Sequence, residues 1–445
     1  MLYPNEHLNS LAHLHEAKVT VFEDREGNLV ESVLTKVKDV KEFFREIQQI
    51  REIEDPLIVL HEDTGNHKTI LTAIMIESSE FVEENFEEDF KATGQKRVLV
   101  LAKAECEETR KNTEIIFNEI DLASLAEDFQ LVCDLSLCSK ILGIQSCSSL
   151  YGCPFCEGSK IDDIHYRPTN GRGRWMEGPL RTEDTIDANQ SEWSLKTNND
   201  RKLLKQFKSC EFKAMRLRAD RGDQAVLLSY PPEPLHVVLL GPGNLAMEAL
   251  EKAFVDEISA WYKKHSLKKS GQSAGGKFHG PSLKYILRND VLEDLKHTLG
   301  DNSKPYVDFL KSIKELHNEC LSKTLSDYKE VIKTFKDSFD ILYYEKGVNM
   351  TLKIHVIFHH LEDYFDWTGK SLKYLNGEAV ETCHSTLRIS EEVHGFKVKK
   401  NLGSPLHLKK ALTSHIWHNS RKAGFIKPNK LKLRRPNFIT MENNK

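Results

Sequence analysis

Short apolar runs separated by turn-forming residues dominate the first hundred residues of the chain. Residues 18–36, "KVTVFEDREGNLVESVLTK", place two β-rich runs around "DREGN" and predict a hairpin. Residues 55–77, "DPLIVLHEDTGNHKTILTAIMIE", predict a strand, a turn at "EDTGN" and a second strand. A further strand is predicted at 97–104, "RVLVLAKA".

Helical patterns enter between and after these strands. Residues 39–53 are polar and helical in character, and residues 118–129 suit a helix. Residues 130–144 begin with a buried strand that ends near Asp134 and then become helical. From residue 55 onward the order is strand, strand, strand, helix, strand, helix. This order matches the opening of a ribonuclease-H-like domain, a mixed sheet whose first three strands are antiparallel.

Beyond residue 160 the pattern changes. Residues 160–232 are rich in glycine, proline, asparagine and charge, which predicts loops. Residues 233–345 carry long patterns with apolar positions three and four apart, which predicts helices. Residues 349–365 and 374–396 also fit helices. We therefore expect an α/β protein, a ribonuclease-H-like mixed-sheet core that a large, mainly helical insertion interrupts.

The same patterns divide the chain into five segments. The core is split, because the insertion separates its first part from the helices that complete it. The expected segments are an N-terminal hairpin and helix at 1–54, the first part of the core at 55–150, an insertion that is loop-rich and then helical at 151–348, the completing helices at 349–420, and a basic tail at 421–445.

Composition narrows the class of protein. The chain is 39% hydrophobic and 29% charged, as in soluble globular proteins. No apolar run approaches the ~20 residues that cross a bilayer, so no membrane partner is expected. The first residues lack an apolar signal segment, so secretion is not expected. The nine cysteines cannot all pair with one another, which favours a reducing compartment.

Charge is uneven along the chain. The net charge of −4 argues against a surface coated for nucleic-acid binding. The C-terminal tail, "NSRKAGFIKPNKLKLRRPNF", is basic. Such a tail is a solvated disordered end, a nuclear-import signal or an arm that contacts phosphates.

Cys153 and Cys156 form the one C-x-x-C pair of the chain, and this spacing supplies half of a structural zinc site. Residues 353–360, "KIHVIFHH", contain histidines that can complete it. On a helix, positions four apart differ by ~40° and positions five apart by ~140°, so the pairs His355–His359 and His355–His360 both stay open. The simpler alternative is a buried cysteine turn and histidines with ordinary packing roles.

Three acids stand where hard metal ligands are expected. Asp63 follows the run "LIVL", Asp134 follows "FQLVC", and Glu381 lies in "GEAVETCHS". Two-metal phosphodiester hydrolysis needs carboxylates that hold two divalent ions about 4 Å apart. The simpler alternatives are a turn aspartate, a helix cap at Asp134 and a solvated helical stripe of Glu378, Glu381 and His384.

Several motifs together carry a family resemblance. They are "CDLSLCSKILGIQSCSSLYGCPFCEG", "PPEPLHVVLLGPGN", "GKFHGPSLKYIL" and "NMTLKIHVIFHHLEDYF" followed by "NGEAVETCHSTLRISEE". From about residue 55 to about residue 420 the chain resembles transposon-derived proteins of invertebrate genomes. Through them it resembles DDE transposases of the Transib and V(D)J-recombinase catalytic-subunit type.

The resemblance implies a set of site residues. The catalytic acids would be Asp63, Asp134 and the second acid of the E-x-x-E pattern, Glu381. They would bind two Mg²⁺ or Mn²⁺ ions. The zinc ligands would be Cys153 and Cys156 together with two histidines five positions apart. That spacing selects His355 and His360, so one structural Zn²⁺ would staple the insertion to the core.

The resemblance also implies a function. The chain would be a nuclear, metal-dependent DNA transposase, an endonuclease that cuts phosphodiesters and joins strands, acting as a homodimer on transposon ends and target DNA. His384 would then contact a phosphate, although a helix-surface histidine is the commoner role. Members of this family would carry a separate N-terminal DNA-binding module, and this chain starts close to the catalytic part. We therefore keep two alternatives, a host-adopted binding protein that does not cut and a ribonuclease-H-like nuclease acting on RNA–DNA hybrids.

Overall fold

The structure is a computed structural model, and it describes residues 14–51, 53–65, 68–77, 98–125, 129–162, 173–196, 201–216, 222–270, 276–322 and 324–378. Glu381, His384, most of the predicted helix at 374–396 and the basic tail lie outside these ranges.

Six strands form a mixed sheet, and its strand order is β1-β2-β5-β4-β3-β6. A separate two-stranded sheet, β7-β8, lies near the cysteine pair. The strands are β1 His15–Glu23, β2 Leu29–Val37, β3 Pro56–Gly65, β4 Lys68–Glu77, β5 Val98–Ala104, β6 Phe129–Val132, β7 Lys160–Asp162 and β8 Gly173–Trp175.

Pairing in the large sheet follows the predicted strand order. β1 and β2 form the antiparallel hairpin predicted for residues 18–36. β3, β4 and β5 pair antiparallel in succession, and β6 pairs parallel to β3 on the other side. The sheet is therefore mixed, as expected. Its inner strands are unbroken runs of mainly apolar residues, as expected for strands that are buried on both faces of a sheet. Every residue of β5 is buried.

Helices make up most of the chain after β6. The helices before residue 240 are α1 Val40–Arg51, α2 Arg110–Ile120, α3 Leu135–Ile141, α4 Glu183–Ser194, α5 Val226–Ser229 and a π-helix at Leu235–Leu240. The later helices are α6 Gly241–Ala253, α7 Val255–Lys264, α8 Gly280–Ile286, α9 Asn289–Leu299, α10 Lys304–Cys320, α11 Tyr328–Glu345, α12 Leu352–His359 and α13 Leu361–Thr368.

Two predicted boundaries near the sheet were wrong. Asp63 lies in β3 and pairs with Ile70, rather than in a turn, because the β3–β4 ladder continues as far as Gly65. The helix predicted at 118–129 is α2, which begins at Arg110 and ends at Ile120. The Thr109 side chain caps its first turn, and Asp121, in the left-handed region at φ 59°, ends it.

Other differences between prediction and structure concern where helices are interrupted and where an additional helix forms. The long pattern ending near residue 345 is two helices, α10 and α11, separated by residues 321–327. The predicted helix at 349–365 is broken at His360, whose φ is −129° and ψ −22°. The loop-rich stretch at 160–232 also contains α4, whose Thr182–Thr185 capping box stabilises its start.

A contiguous cluster of buried apolar side chains extends from Leu14 to Leu375 and joins the sheet to the helices. The four cysteine and histidine side chains of the predicted zinc site are buried next to it. Among the described helices, none is both long and apolar enough to span a bilayer.

Candidate functional site

The two cysteines and two of the histidines meet in one buried cluster: Cys153, Cys156, His355 and His360. Their ligand atoms all lie within 4.8 Å of one another. Cys153 Sγ is 3.4 Å from His360 Nε2, and Cys156 Sγ is 3.4 Å from His355 Nε2. The structure thus brings together the four residues that the sequence selected as a zinc site.

The cluster has the dimensions of a tetrahedral zinc site. With Zn–S of about 2.3 Å and Zn–N of about 2.0 Å, tetrahedral S···N edges are about 3.5 Å and the N···N edge about 3.3 Å. The two Nε2 atoms are 3.2 Å apart, and two of the four S···N distances, Cys153–His360 and Cys156–His355, are 3.4 Å. The donor set, two thiols and two imidazoles, is one that zinc prefers. The cluster could therefore hold one structural zinc ion.

Burial and mutual contact set the protonation of these ligands. The hydrogen bond from Cys153 lowers the pKa of Cys156, with further help from the two histidines. Burial raises the pKa of Cys153 and lowers the pKa of His355. Neutral imidazole and thiolate are the forms that bind a metal. The imidazole Nδ1 atoms of His355 and His360 have no hydrogen-bond partner among the described residues.

The loop around the cysteines packs closely against its neighbours. The Gly158 N–H donates to Cys156 Sγ at 3.2 Å. A Cβ on Gly158 would lie 2.0 Å from the Met176 carbonyl oxygen, so this position requires glycine. Phe155 packs edge-on against the His360 ring, and Trp175 of β8 packs against His355. These contacts exclude water from the cluster.

Arg181 forms hydrogen bonds to the backbone of the cysteine loop, and the sequence analysis missed this residue. Its side chain is fully buried and donates to five acceptors. Nε reaches the carbonyl oxygens of Cys153 and Cys156 at 3.0 and 2.9 Å. The other acceptors are Tyr151 O, Lys208 O and Cys210 Sγ. Nothing local in the sequence distinguishes this arginine from the solvated ones.

His359 takes no part in the cluster. Its Nδ1 lies 3.5 Å from Glu177 Oε2 at the edge of the site. Burial lowers the pKa of His359 to about 3, so its ring is neutral at physiological pH. Of the two histidine pairs left open by spacing, the structure brings together His355 and His360.

Asp63 and Asp134 come from neighbouring parallel strands. The β3–β6 register pairs His61 with Val132, the last residue of β6. Asp63 lies two residues further along β3, and Asp134 lies two residues beyond the end of β6, where it caps α3. Neighbouring strands are about 4.8 Å apart, so the register places the two residues at the same edge of the sheet. Asp134 also caps α3, because its Oδ1 accepts from Leu137 N at 2.7 Å. The cap predicted as the simpler role of Asp134 therefore exists.

Glu108 is a third acid near Asp63 and Asp134. Burial raises the pKa of Glu108, and repulsion from Asp134 and Asp63 adds to that increase. Lys140 opposes it, with Nζ 2.5 Å from Glu108 Oε1. Carboxylate is the ligand type that Mg²⁺ and Mn²⁺ prefer. Among the described residues, however, the one group of three or more potential ligands close enough to hold a single metal ion is the cysteine–histidine cluster.

Glu62, adjacent to Asp63, belongs to a different environment. Successive residues of a strand face opposite sides of the sheet. Glu62 is buried against α2, where Thr113 Oγ1 donates to its Oε1 at 3.1 Å. Burial raises the pKa of Glu62 to about 8. Asp63 is only partly buried, so it is the accessible acid of the pair.

The third predicted acid, Glu381, lies outside the described residues, as does His384. Comparison with known proteins adds no family, because no family model and no curated protein matches the chain.

Proposed function

We propose that this chain is a metal-dependent DNA transposase or recombinase with a ribonuclease-H-like core. The observation that supports the proposal is that Asp63, near the end of β3, and Asp134, just beyond the end of the parallel neighbour β6, lie at the same edge of the sheet. The strand order β5-β4-β3-β6, with β6 alone parallel to β3, supports the ribonuclease-H-like assignment. Ligands of such sheets commonly bind beyond the carboxyl ends of parallel strands.

Gly377, four positions before Glu381 in the sequence, is held by a hydrogen bond to the buried Glu233. Gly377 N donates to Glu233 Oε1 at 2.8 Å. Both Glu233 and Asp134 attract the buried ammonium group of Lys353 and oppose the lowering of its pKa by burial. Within this proposal Glu381, four positions after Gly377 in the sequence, is the third acid.

Within this proposal Glu378 is a structural residue. The first acid of the E-x-x-E pattern forms an ion pair with Lys284 of α8. Its backbone N–H also donates to Asn376 Oδ1 at 3.3 Å. Because the Glu378 charge is already compensated, Glu381 is the acid of the pattern that we assign to metal binding.

The roles of the acids follow from their donor chemistry. Asp63, Asp134 and Glu381 would hold two Mg²⁺ or Mn²⁺ ions, which when bound activate the attacking oxygen and stabilise the leaving oxygen. The Leu137 N–H holds one oxygen of Asp134, which fixes the direction of the carboxylate. Lys140 keeps a positive charge beside Glu108.

The zinc site would be structural. All four of its ligands come from the protein and are buried, so no position stays open for a substrate or water. It joins the loop after α3 to α12, 199 residues further along the chain between Cys156 and His355. Since α12 also carries Lys353, the zinc staple would stabilise the helices that face the acids.

The proposal includes DNA as the substrate, a homodimer as the working unit and the nucleus as the compartment. A dimer would let each acidic site act on one transposon end. Sedimentation of the chain with and without duplex DNA tests this part, and a monomer under both conditions would contradict it.

A cleavage assay tests the proposed function. Supercoiled plasmid is incubated with Mn²⁺ and the wild type, Asp134→Asn, Glu381→Gln or the matched control Glu378→Gln. We expect nicking by wild type and by the control, and a loss of at least about 100-fold in the two acid variants, as for removal of a metal ligand.

Each other result has a distinct meaning. Nicking by every variant would indicate a contaminating nuclease, and no nicking by any would favour the binding protein that does not cut. A parallel reaction with an RNA–DNA hybrid covers the remaining alternative. Cleavage of the RNA strand alone would favour a ribonuclease-H-like nuclease.

A further inference from the structure

The segment "GKFHGP", residues 276–281, leads into α8. It does so as extended chain, with His279 at φ −80° and ψ 167°. Phe278 is buried, whereas its two neighbours Lys277 and His279 are exposed. Because successive side chains of an extended chain point to opposite sides, Lys277 and His279 project together into solvent.

The backbone of this segment is fixed from two directions. Asn244 of α6 accepts from Phe278 N at 2.7 Å through Oδ1 and donates to Phe278 O at 3.1 Å through Nδ2. Lys277 N donates to Ser270 O, and Lys277 O accepts from Ser270 N, both at 2.9 Å. A Cβ on Gly276 would lie 2.6 Å from Ser270 O, so this close approach requires glycine.

The Phe278 side chain anchors the segment to the core. Its ring is 2% exposed and packs edge-on against Tyr262 of α7, with the ring centroids 5.3 Å apart. Lys269 Nζ lies 5.6 Å from the centroid of the same ring. A backbone held at this many points loses little conformational entropy when its side chains bind a ligand.

The charge of Lys277 is not compensated by an ion pair. Within the part of the chain that the structure describes, neither the Lys277 nor the His279 side chain makes an ion pair or a hydrogen bond. Nearby lysines do pair with acids: Lys264 with Asp294, Lys269 with Glu251 and Lys284 with Glu378. The segment therefore presents one uncompensated positive charge and one imidazole on a fixed backbone.

Phosphate is the ligand that this arrangement fits. Lysine binds phosphate as a point charge, and an imidazole N–H donates to phosphate oxygens. Two positions apart in an extended chain, the two side chains start about 6.6 Å from each other, which allows them to contact different phosphates of one strand.

We infer that Lys277 and His279 contact the phosphate backbone of duplex DNA, from a segment that α6 and α7 hold in place. The inference rests on the proposed function, because that proposal names DNA as the polyanion. Contacts of this kind position a duplex without reading its sequence, so they act on any DNA.

Fluorescence anisotropy of a labelled duplex tests the inference. Binding by the full chain is measured from about 50 to 200 mM salt, without added Mg²⁺ or Mn²⁺, so that cleavage does not interfere. Lys277→Gln should weaken binding about fivefold at 150 mM salt and reduce the slope of log K against log salt by about 0.9, as for one lost phosphate contact. His279→Ala should weaken binding about two- to tenfold, as for one lost hydrogen bond. Two duplexes of unrelated sequence should lose affinity equally.

The matched controls are Lys333→Gln and His297→Ala, the same changes at exposed positions of α11 and α9. Both controls should keep the affinity and the salt slope of the wild type. Zinc content and near-ultraviolet circular dichroism confirm that each variant is folded.

The possible results are distinguishable. Wild-type affinity and slope in Lys277→Gln would overturn the inference and leave the proposed function in place. An equal loss in Lys333→Gln would show a general effect of net charge and would also overturn it. Weaker binding to phosphatidylserine vesicles with unchanged DNA binding would overturn it in favour of a membrane surface. If the wild type binds no duplex even at about 50 mM salt, the proposed function fails, and the inference fails with it.

Discussion

His355 and His360 bring their Nε2 atoms to within 3.2 Å of each other, although they are five positions apart in the chain. On an uninterrupted helix such residues point about 140° apart. The break at His360, between α12 and α13, removes this divergence. The metal cluster and the helix break are therefore one feature, since the histidines converge only because the helix ends between them.

The cysteine ligands give the first prediction. Cys153→Ser should abolish stoichiometric zinc binding and lower the free energy of unfolding by on the order of 3–5 kcal/mol, because the metal stabilises the folded state. Cys320→Ser, a change at another fully buried thiol, should keep one zinc per chain. Mass spectrometry under native conditions measures the zinc content. One zinc per chain in Cys153→Ser would show that the ligand assignment is wrong.

The histidine ligands give a second prediction, with a neighbouring residue as the control. His360→Ala should release zinc, whereas His359→Ala should retain it, because His359 lies outside the cluster. A colorimetric chelator titration of both variants measures zinc release. Equal release from the two would indicate that the ring at 359 can replace the ring at 360.

Arg181 gives a third prediction. Lysine carries the same charge but cannot donate to four carbonyl oxygens and one thiol sulfur at once. Arg181→Lys should therefore leave buried acceptors unpaired, lower stability by about 2–4 kcal/mol and weaken zinc binding about 10- to 100-fold. Urea unfolding and competition with a zinc chelator measure the two effects. Arg174→Lys, in β8 of the same region, should change zinc affinity little, because Arg174 donates to no carbonyl of the cysteine loop.

Much of the sheet and the cysteine half of the zinc cluster could be predicted because their determinants are local, whereas the histidine pair was selected only by the family resemblance. Apolar runs and turn residues locate β3, β4 and β5, and a two-residue cysteine spacing identifies a metal loop. Buried thiolate and imidazole groups that lie next to each other have few roles other than metal binding. The residue types therefore narrowed the chemistry before any contact was known.

The missed features depend on contacts between distant segments. The β3 strand continues through Asp63 because β4 pairs with it, and the turn residues around it gave no sign of this. Arg181 and Glu233 act through carbonyl and amide groups far away in the chain. A single arginine or glutamate in a loop-rich stretch is usually solvated, so the surrounding sequence does not predict that such a residue is buried.

Asp134 gives a fourth prediction, which separates its two roles. Asparagine caps helices as well as aspartate does, whereas alanine does not. Asp134→Asn should therefore unfold at nearly the wild-type urea midpoint, while Asp134→Ala should lose about 1 kcal/mol through the lost bond to Leu137. In the plasmid assay both variants should be inactive, because an uncharged residue binds Mn²⁺ poorly. Activity in Asp134→Asn alone would reduce Asp134 to a helix cap.

His317 gives a fifth prediction, on pH. Burial, assisted by the positive charge of Lys284, lowers its pKa from 6.5 to about 4, and Glu378 and Glu233 oppose that shift. Between these pH values the unfolded chain binds a proton that the folded chain does not. Stability should therefore fall as the pH drops from 6.5 towards 4, with a contribution on the order of 3 kcal/mol, and should not change through this group above pH 6.5.

Urea unfolding of wild type and His317→Gln at pH 7 and pH 4.5 measures the effect. His317→Gln should lose less stability on acidification than wild type, and His297→Gln, at an exposed histidine of α9, should behave as wild type. Equal losses in all three would mean that acid acts through other groups, the zinc ligands first among them.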